Sequence, residues 1–254
     1  NRNIMQIQIA SDLHIEYINQ MIDVNNFIVP KAPILILAGD IGSLYLYDQL
    51  YRFLSKLSSK FKYILYVPGN HEFYTMNDIK PLPFRFLVNR LYQLENSIPN
   101  LYILNKSSVI IENICFIGAT LWSKVPDKSI IPKYRVRIKG MNSYQYKSNH
   151  LKDLQFISKT LDFCKQKKLK PCVITHYPPL KKCMGPHHIN DKYQFLYFNE
   201  LDYMFSKYDI HSWIYGHVHF NQQFRIQNCT CLSNQLGRER DRITDYLKDF
   251  VYSF

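Results

Sequence analysis

Residues 66–74 read YVPGNHEFY, and the order within them decides how the rest of the chain is read. An apolar run, Tyr63 to Val67, has the composition of a buried strand and is bounded by Pro68 and Gly69. The residues after it therefore form a strand-to-helix loop, where an Asn can simply cap the next helix. That accounts for Asn70 and leaves His71 and Glu72 without a structural reason.

The same order recurs along the chain. Apolar runs at 4–10 and 34–38 end in Ser11-Asp12-Leu13-His14 and Gly39-Asp40, and those at 172–175 and 212–215 end in His176 and Gly216-His217-Val218-His219. Helical spacing marks 46–60 (Leu46, Leu50, Phe53, Leu54, Leu57) and 84–98 (Leu87, Leu91, Leu94), the second closed by Pro99. Short apolar runs at 101–104, 108–111 and 114–118 predict an antiparallel meander. A long loop is expected over 123–148, a helix over 150–167, a second loop over 180–195 and a short helix over 199–207. Strands near 222–226 and 229–233 precede a charged tail, 238–242.

In open α/β sheets the C-terminal strand ends converge on one crevice. Asp12 and His14 are two apart, as are His217 and His219, so in an extended segment each pair projects to one side and can grip one ion. Asp40, Asn70 and His176 add single ligands. Each fragment alone is common by chance; their order, each directly after an apolar run, is what points to a shared site.

With these motifs the chain resembles the calcineurin-like metallophosphoesterases over about residues 5–235. The stretches GATLWS at 118–123 and SNQLG at 233–237 are similar to segments of small bacterial and viral-type members. The resemblance implies an α/β fold, a four-layer α-β-β-α sandwich of two mixed sheets, with two divalent metal ions above the strands. It implies that Asp12, His14 and His219 hold the first metal, that Asn70, His176 and His217 hold the second, and that Asp40 bridges them. It further implies phosphoester hydrolysis by a metal-bridging hydroxide, with His71 as general acid to the leaving oxygen. A ligand mix of imidazole, carboxylate and amide without thiolate suits Mn, Fe, Zn or Ni, and manganese is the metal expected to support activity in vitro. Ser/Thr protein phosphatases of the superfamily carry an acid and an arginine shortly after their Gly-Asp; here Gly39-Asp40 continues Ile41-Gly42-Ser43, which argues against that substrate class. Tyr177 stands where many members have a second His.

Composition sets the remaining bounds. A chain of 254 residues, 46% hydrophobic and 20% charged, fits one domain over 1–254. No apolar run reaches the roughly 20 residues of a membrane span, and no apolar segment near the start is long enough for a secretory signal. Six cysteines without a CxxC pair read as reduced thiols in a cytoplasmic protein; Cys229 and Cys231 share a strand face and read as core-facing. The formal charge of +12 invites a nucleic-acid partner, although the lysines are scattered and an A/T-rich genome would produce the same composition.

The expected substrate is a phosphorylated small molecule or nucleotide, as a mono- or diester. A nuclease or nucleotide phosphodiesterase is the next reading, and a silent protein-binding scaffold the third. Candidate substrate contacts are Lys181, Lys182, His187 and His188 in the loop after His176, with Tyr177 or Phe195 as a stacking face. Asn142 and Tyr144 in the preceding loop are further candidates. A solvated loop without contacts is the alternative for the loop at 180–195.

Overall fold

The computed structural model describes residues 4–254; Asn1–Asn3, part of the segment read for a leader and of the span 1–254, lie outside the described residues. Strands β1 (Gln6–Ala10), β2 (Ile34–Leu37), β3 (Tyr63–Tyr66) and β4 (Leu101–Ile103) run parallel in one sheet. Strands β5 (Ser107–Ile111), β6 (Ile114–Ala119), β7 (Lys170–Thr175), β8 (Ser212–Ile214), β9 (Gln223–Ile226) and β10 (Cys229–Leu232) form the other, in the order β5-β6-β7-β8-β10-β9. Strand β11 (Val251–Ser253) returns to the first sheet and pairs antiparallel with β1. Both sheets are mixed: β6, β7, β8 and β10 are parallel, with β5 and β9 antiparallel at the edges.

Period-two alternation sorts the side chains into three apolar layers. Ile34, Ile36 and Leu65 point inward and meet Phe116, Ile174 and Ile214 of the opposite sheet. Leu35, Leu37 and Ile64 point outward, against Leu50, Phe53, Leu54 and Leu57 of helix α1 (Tyr47–Ser58) and Leu87, Leu91 and Leu94 of α2 (Phe84–Ser97). On the far side, Cys115, Ile117 and Val173 meet Ile157 and Leu161 of α3 (Ser143–Lys167) and Met204 and Phe205 of α4 (Asp202–Lys207). Three apolar layers between four structural ones are the α-β-β-α sandwich. Each fully buried aliphatic side chain contributes roughly 1.5–3 kcal/mol.

The expected meander is not one. β4 extends the first sheet beside β3, and the chain then crosses to begin the second at β5; only β5 and β6 form a hairpin. The pull is α2, whose packing on β4 makes this a parallel crossover unit. The predicted loop over 123–148 also ends early. Asn142 caps α3 in a reciprocal capping box with Gln145, so the helix starts at Ser143 and not at 150. All six cysteines are free and buried, and Cys229 and Cys231 face the outer apolar layer. Among the described residues no helix is long and apolar enough to cross a membrane.

One buried charge in α3 fixes a loop that leads towards the ligand end. Asp153 accepts the Leu121 N–H at 2.8 Å and lies 3.5 Å from Lys106 Nζ, while Leu121 holds a left-handed backbone with φ of 54°. Burial pushes the Asp153 carboxyl up to about 6 from 3.8. Its folded value therefore lies above its unfolded one, so its contribution is full below the unfolded value and is lost as pH rises through about 6. An Asp153→Asn variant should gain on the wild type in melting temperature as pH is raised from about 4 to 7; a gap that stays constant across that range would refute it.

Candidate metal centre

The ends of β1, β2 and β3 in one sheet and of β7 and β8 in the other carry Asp12, His14, Asp40, Asn70, His176, His217 and His219, and the structure brings all seven together. The expectation that the two alternating pairs lie in extended segments is corrected. Asp12, His14, Asp40, His217 and His219 have φ between 49° and 75°, so the chain turns sharply as it leaves each strand. Left-handed backbone costs a non-glycine residue on the order of 1–2 kcal/mol. Cross-links between loops offset it: Asp12 N–H donates to the Gly39 carbonyl at 2.9 Å, His14 N–H to the Asp40 carbonyl at 3.0 Å, and His219 N–H to Gln235 Oε1 at 2.8 Å. Gly69 is required by close approach, since a Cβ there would run into the Asp40 side chain and lie 2.8 Å from His176 Cε1.

The seven side chains fall into two groups around Asp40. His14 Nε2, His219 Nε2 and Asp12 Oδ1 form one, with the two nitrogens 3.1 Å apart and His219 3.3 Å from Asp12. His176 Nε2 and Asn70 Oδ1, 2.9 Å apart, form the other with His217. Asp40 Oδ1 lies 3.3 Å from His176 Nε2, and Asp40 Oδ2 lies 3.9 Å from His14 Nε2, so its two oxygens face different groups.

Acceptors on the outer side of each ring fix the tautomers. His14 Nδ1 donates to Glu16 Oε1 at 3.0 Å, His176 Nδ1 to the Ala38 carbonyl at 2.9 Å, His217 Nε2 to the Leu196 carbonyl at 3.0 Å, and His219 Nδ1 to Asp241 Oδ2 at 2.6 Å. A carbonyl or carboxylate accepts only, so a proton sits on each of those nitrogens and the opposite nitrogen of each ring faces inward. The inward nitrogens of His14 and His219 lie 3.1 Å apart, close enough for one cation to take both. Burial opposes charge on His176 and His219, yet Asp40 beside the first, and Asp12 and Asp241 beside the second, raise both to about 9. Burial and the neighbouring His176 hold His217 well below its usual value. A field that favours a proton at His176 and His219 favours a metal ion equally, and the donor set fits one.

His71 stands beside the first group without joining it. Its Nδ1 lies 3.1 Å from Glu16 Oε1, the same oxygen that takes His14 Nδ1, and its backbone N–H donates to Asp40 Oδ1 at 2.8 Å. Burial alone would push the Glu16 carboxyl up; hydrogen bonds from His14 and His71 hold it below the usual range. Glu16 is thus the acid that orients His71. Sequence reasoning missed it, though it continues the alternation Asp12, His14, Glu16. Glu72 has a different task. Its buried carboxylate accepts the N–H groups of Asp40, Ile41 and Gly69 and the Tyr66 hydroxyl, at 2.6–3.1 Å, and so ties the loop after β2 to the loop after β3. Asp241 was hidden in the charged tail, where nothing in the sequence distinguished it from its neighbours.

A cleft of about 830 Å³ opens over the two groups. Tyr177, His187 and His188 line it, as does Tyr197, whose ring stacks on His188 with centroids 3.8 Å apart. Tyr177 is buried with its ring 4.1 Å from that of His217, so it backs a ligand more than it offers a free face. The structure does not bring Lys181 or Asn142 to the cleft: the Lys181 ammonium lies over Phe198, the Lys182 ammonium over Phe224, and Asn142 is occupied as a helix cap. Tyr144 is solvent-exposed and Phe195 packs against the outer layer of the first sheet. In their place stand four arginines the sequence did not single out: Arg135, Arg137, Arg238 and Arg240.

Comparison with known proteins bears on the fold and the family. Uncharacterized protein L509 of Acanthamoeba polyphaga mimivirus is 29% identical over 269 residues, covering 93% of this chain and 92% of that protein. The phosphopantetheinyl hydrolase of Mycobacterium tuberculosis shares the fold with a TM-score of 0.76 at 14% identity, over 99% of this chain and 96% of that one. A dimetal phosphatase from Danio rerio superposes with a TM-score of 0.53 at 12% identity, over 90% and 86%. The model of the family described as calcineurin-like phosphoesterase matches residues 5–221, and on that match the chain belongs to the calcineurin-like phosphoesterases.

Proposed function

We propose that this protein hydrolyses phosphate mono- or diesters at a centre of two divalent metal ions. The observation that carries the reading is the four histidines whose outer nitrogens are each committed to an acceptor while their inner nitrogens converge with Asp12, Asp40 and Asn70. Asp12, His14 and His219 would hold one ion, Asn70, His176 and His217 the other, and Asp40, with an oxygen towards each group, both. Bound there, the pair would supply Lewis acidity and a water of lowered pKa. Two carboxylates against two divalent ions leave a positive site, which a phosphate completes. Manganese is the metal to test first.

His71 supplies the proton. With Nδ1 directed at Glu16, its Nε2 is the nitrogen available to the departing oxygen of the ester. The Glu16 carboxylate holds the ring in place. Sharing Glu16 Oε1 between His14 and His71 couples acid orientation to ligand orientation. The charge of +12 and the arginine rim support the nucleotide phosphodiesterase reading over a protein phosphatase. The complete ligand set weighs against a silent scaffold. Six unpaired, buried cysteines support a reducing compartment such as the cytoplasm.

Metal-stripped protein reloaded with Mn should turn over p-nitrophenyl phosphate, bis-p-nitrophenyl phosphate or both, and Asp40→Asn should lose both metal content and turnover. Bound metal without turnover of either ester would count against the reading. His71→Asn should slow alkyl esters by about 10²–10⁴-fold and nitrophenyl esters far less; an equal loss on both would remove the acid role. Glu16→Gln should reduce metal affinity and alkyl-ester turnover together, by about 10–100-fold, whereas His71→Asn should leave metal content unchanged.

A further inference from the structure

We infer that the leaving alcohol of the substrate carries a phosphate of its own, received by Arg137 and Arg240; the inference rests on the phosphoesterase reading above. The cleft is far larger than one phosphate requires, and four guanidiniums stand on it. Two of them are neutralised: Arg135 lies 3.0 Å from Asp191 and Arg238 lies 3.2 Å from Asp241. Among the described residues Arg137 and Arg240 have no carboxylate within ion-pair reach. A basic surface scatters unpaired cations anywhere; here both stand at one junction, beside two that aspartates neutralise.

Position assigns the charge to the leaving side. The Arg137 guanidinium lies 5.5 Å from the Tyr74 ring centroid, and that ring lies 4.8 Å from the His71 ring. A general acid stands next to the oxygen that departs, so a cation one ring beyond His71 meets a group borne by the alcohol. Arg137 is also where three cavities meet: the main cleft, a chamber of about 230 Å³ beside Glu16 and His71, and a groove of about 750 Å³ that Arg240 shares. Ile18, Phe27, Leu236 and Ile243 give that groove apolar wall for the body of the alcohol. The planar guanidinium fork suits phosphate in a way that a carboxylate-free lysine rim would not.

The reaction balances without a further reagent. The oxygen of water bonds to the phosphorus at the metal end, the bond from that phosphorus to the alcohol oxygen breaks, and the alcohol leaves with the His71 proton. The second phosphate is unchanged. Nucleoside bisphosphates and short oligonucleotides both present this chemistry.

The test compares kcat/KM of the Mn-loaded full chain on adenosine bisphosphate, with phosphates on both the 3′ and 5′ oxygens, and on adenosine 3′-monophosphate. A parallel pair uses a dinucleotide with and without a phosphate on its leaving nucleoside, which separates small nucleotides from nucleic-acid ends. A preference of about tenfold or more for the doubly phosphorylated member is expected, the scale of one charge-assisted contact. Arg137→Met and Arg240→Met should each shrink that ratio towards one, and Arg137→Lys should keep part of it. Reading the ratio cancels any general loss of activity. A wild-type ratio near one with nitrophenyl phosphate still hydrolysed, or a ratio unmoved in the double variant, would overturn this inference alone. No turnover of any ester would overturn the phosphoesterase reading and this inference with it.

Discussion

The commitment of each histidine's outer nitrogen to a fixed acceptor is the constraint on which the ligand end depends. His14 and His219 face each other nitrogen to nitrogen at 3.1 Å, and His176 faces an amide oxygen at 2.9 Å. These nitrogens cannot be turned away from the centre, because the other nitrogen of each ring is held by an acceptor that cannot donate. One of these acceptors, the Ala38 carbonyl at the end of β2, fixes His176 at the end of β7, 138 residues on, so the centre depends on the packing of the two sheets together.

Strain and support are distributed accordingly. Five left-handed residues cluster at the strand ends, where a loop that needed only to reverse direction would have used glycine or asparagine. Backbone pairing between neighbouring loops holds them, together with the buried Glu72 carboxylate, which gathers three N–H groups and a hydroxyl. That role accounts for the Glu in the motif at 69–72. Glu72 touches none of the metal-binding groups through its side chain and still fixes where Asp40 begins.

How much of this was legible in the sequence depends on range. Apolar runs and the residues directly after them are local, and β1, β2, β3, β7 and β8 with their seven ligand candidates could be read from order alone. β4 was misread because three short runs in a row look alike whether they pair with each other or with different sheets, and only the packing of α2 decides. β11 is three residues long and finds its partner β1 at the other end of the chain, so no local pattern announces it. Asn142 looked like a loop residue available to a substrate because a cap and a ligand contact use the same polar side chain. Lys181 failed for a related reason: its loop does border the cleft, through His187 and His188, while the lysine turns away over Phe198.

The return of the chain to β1 has a bearing on how the protein is made. Asp241, which fixes the His219 ring, and β11, which closes the edge of the first sheet, are synthesised after all the residues whose geometry they complete. A nascent chain that has already folded its two sheets still leaves His219 free to rotate and the outer edge of β1 open, a template for pairing with another chain. A chain without these residues carries every metal-binding side chain, yet lacks the acceptor that fixes the His219 ring and leaves that edge of β1 unpaired.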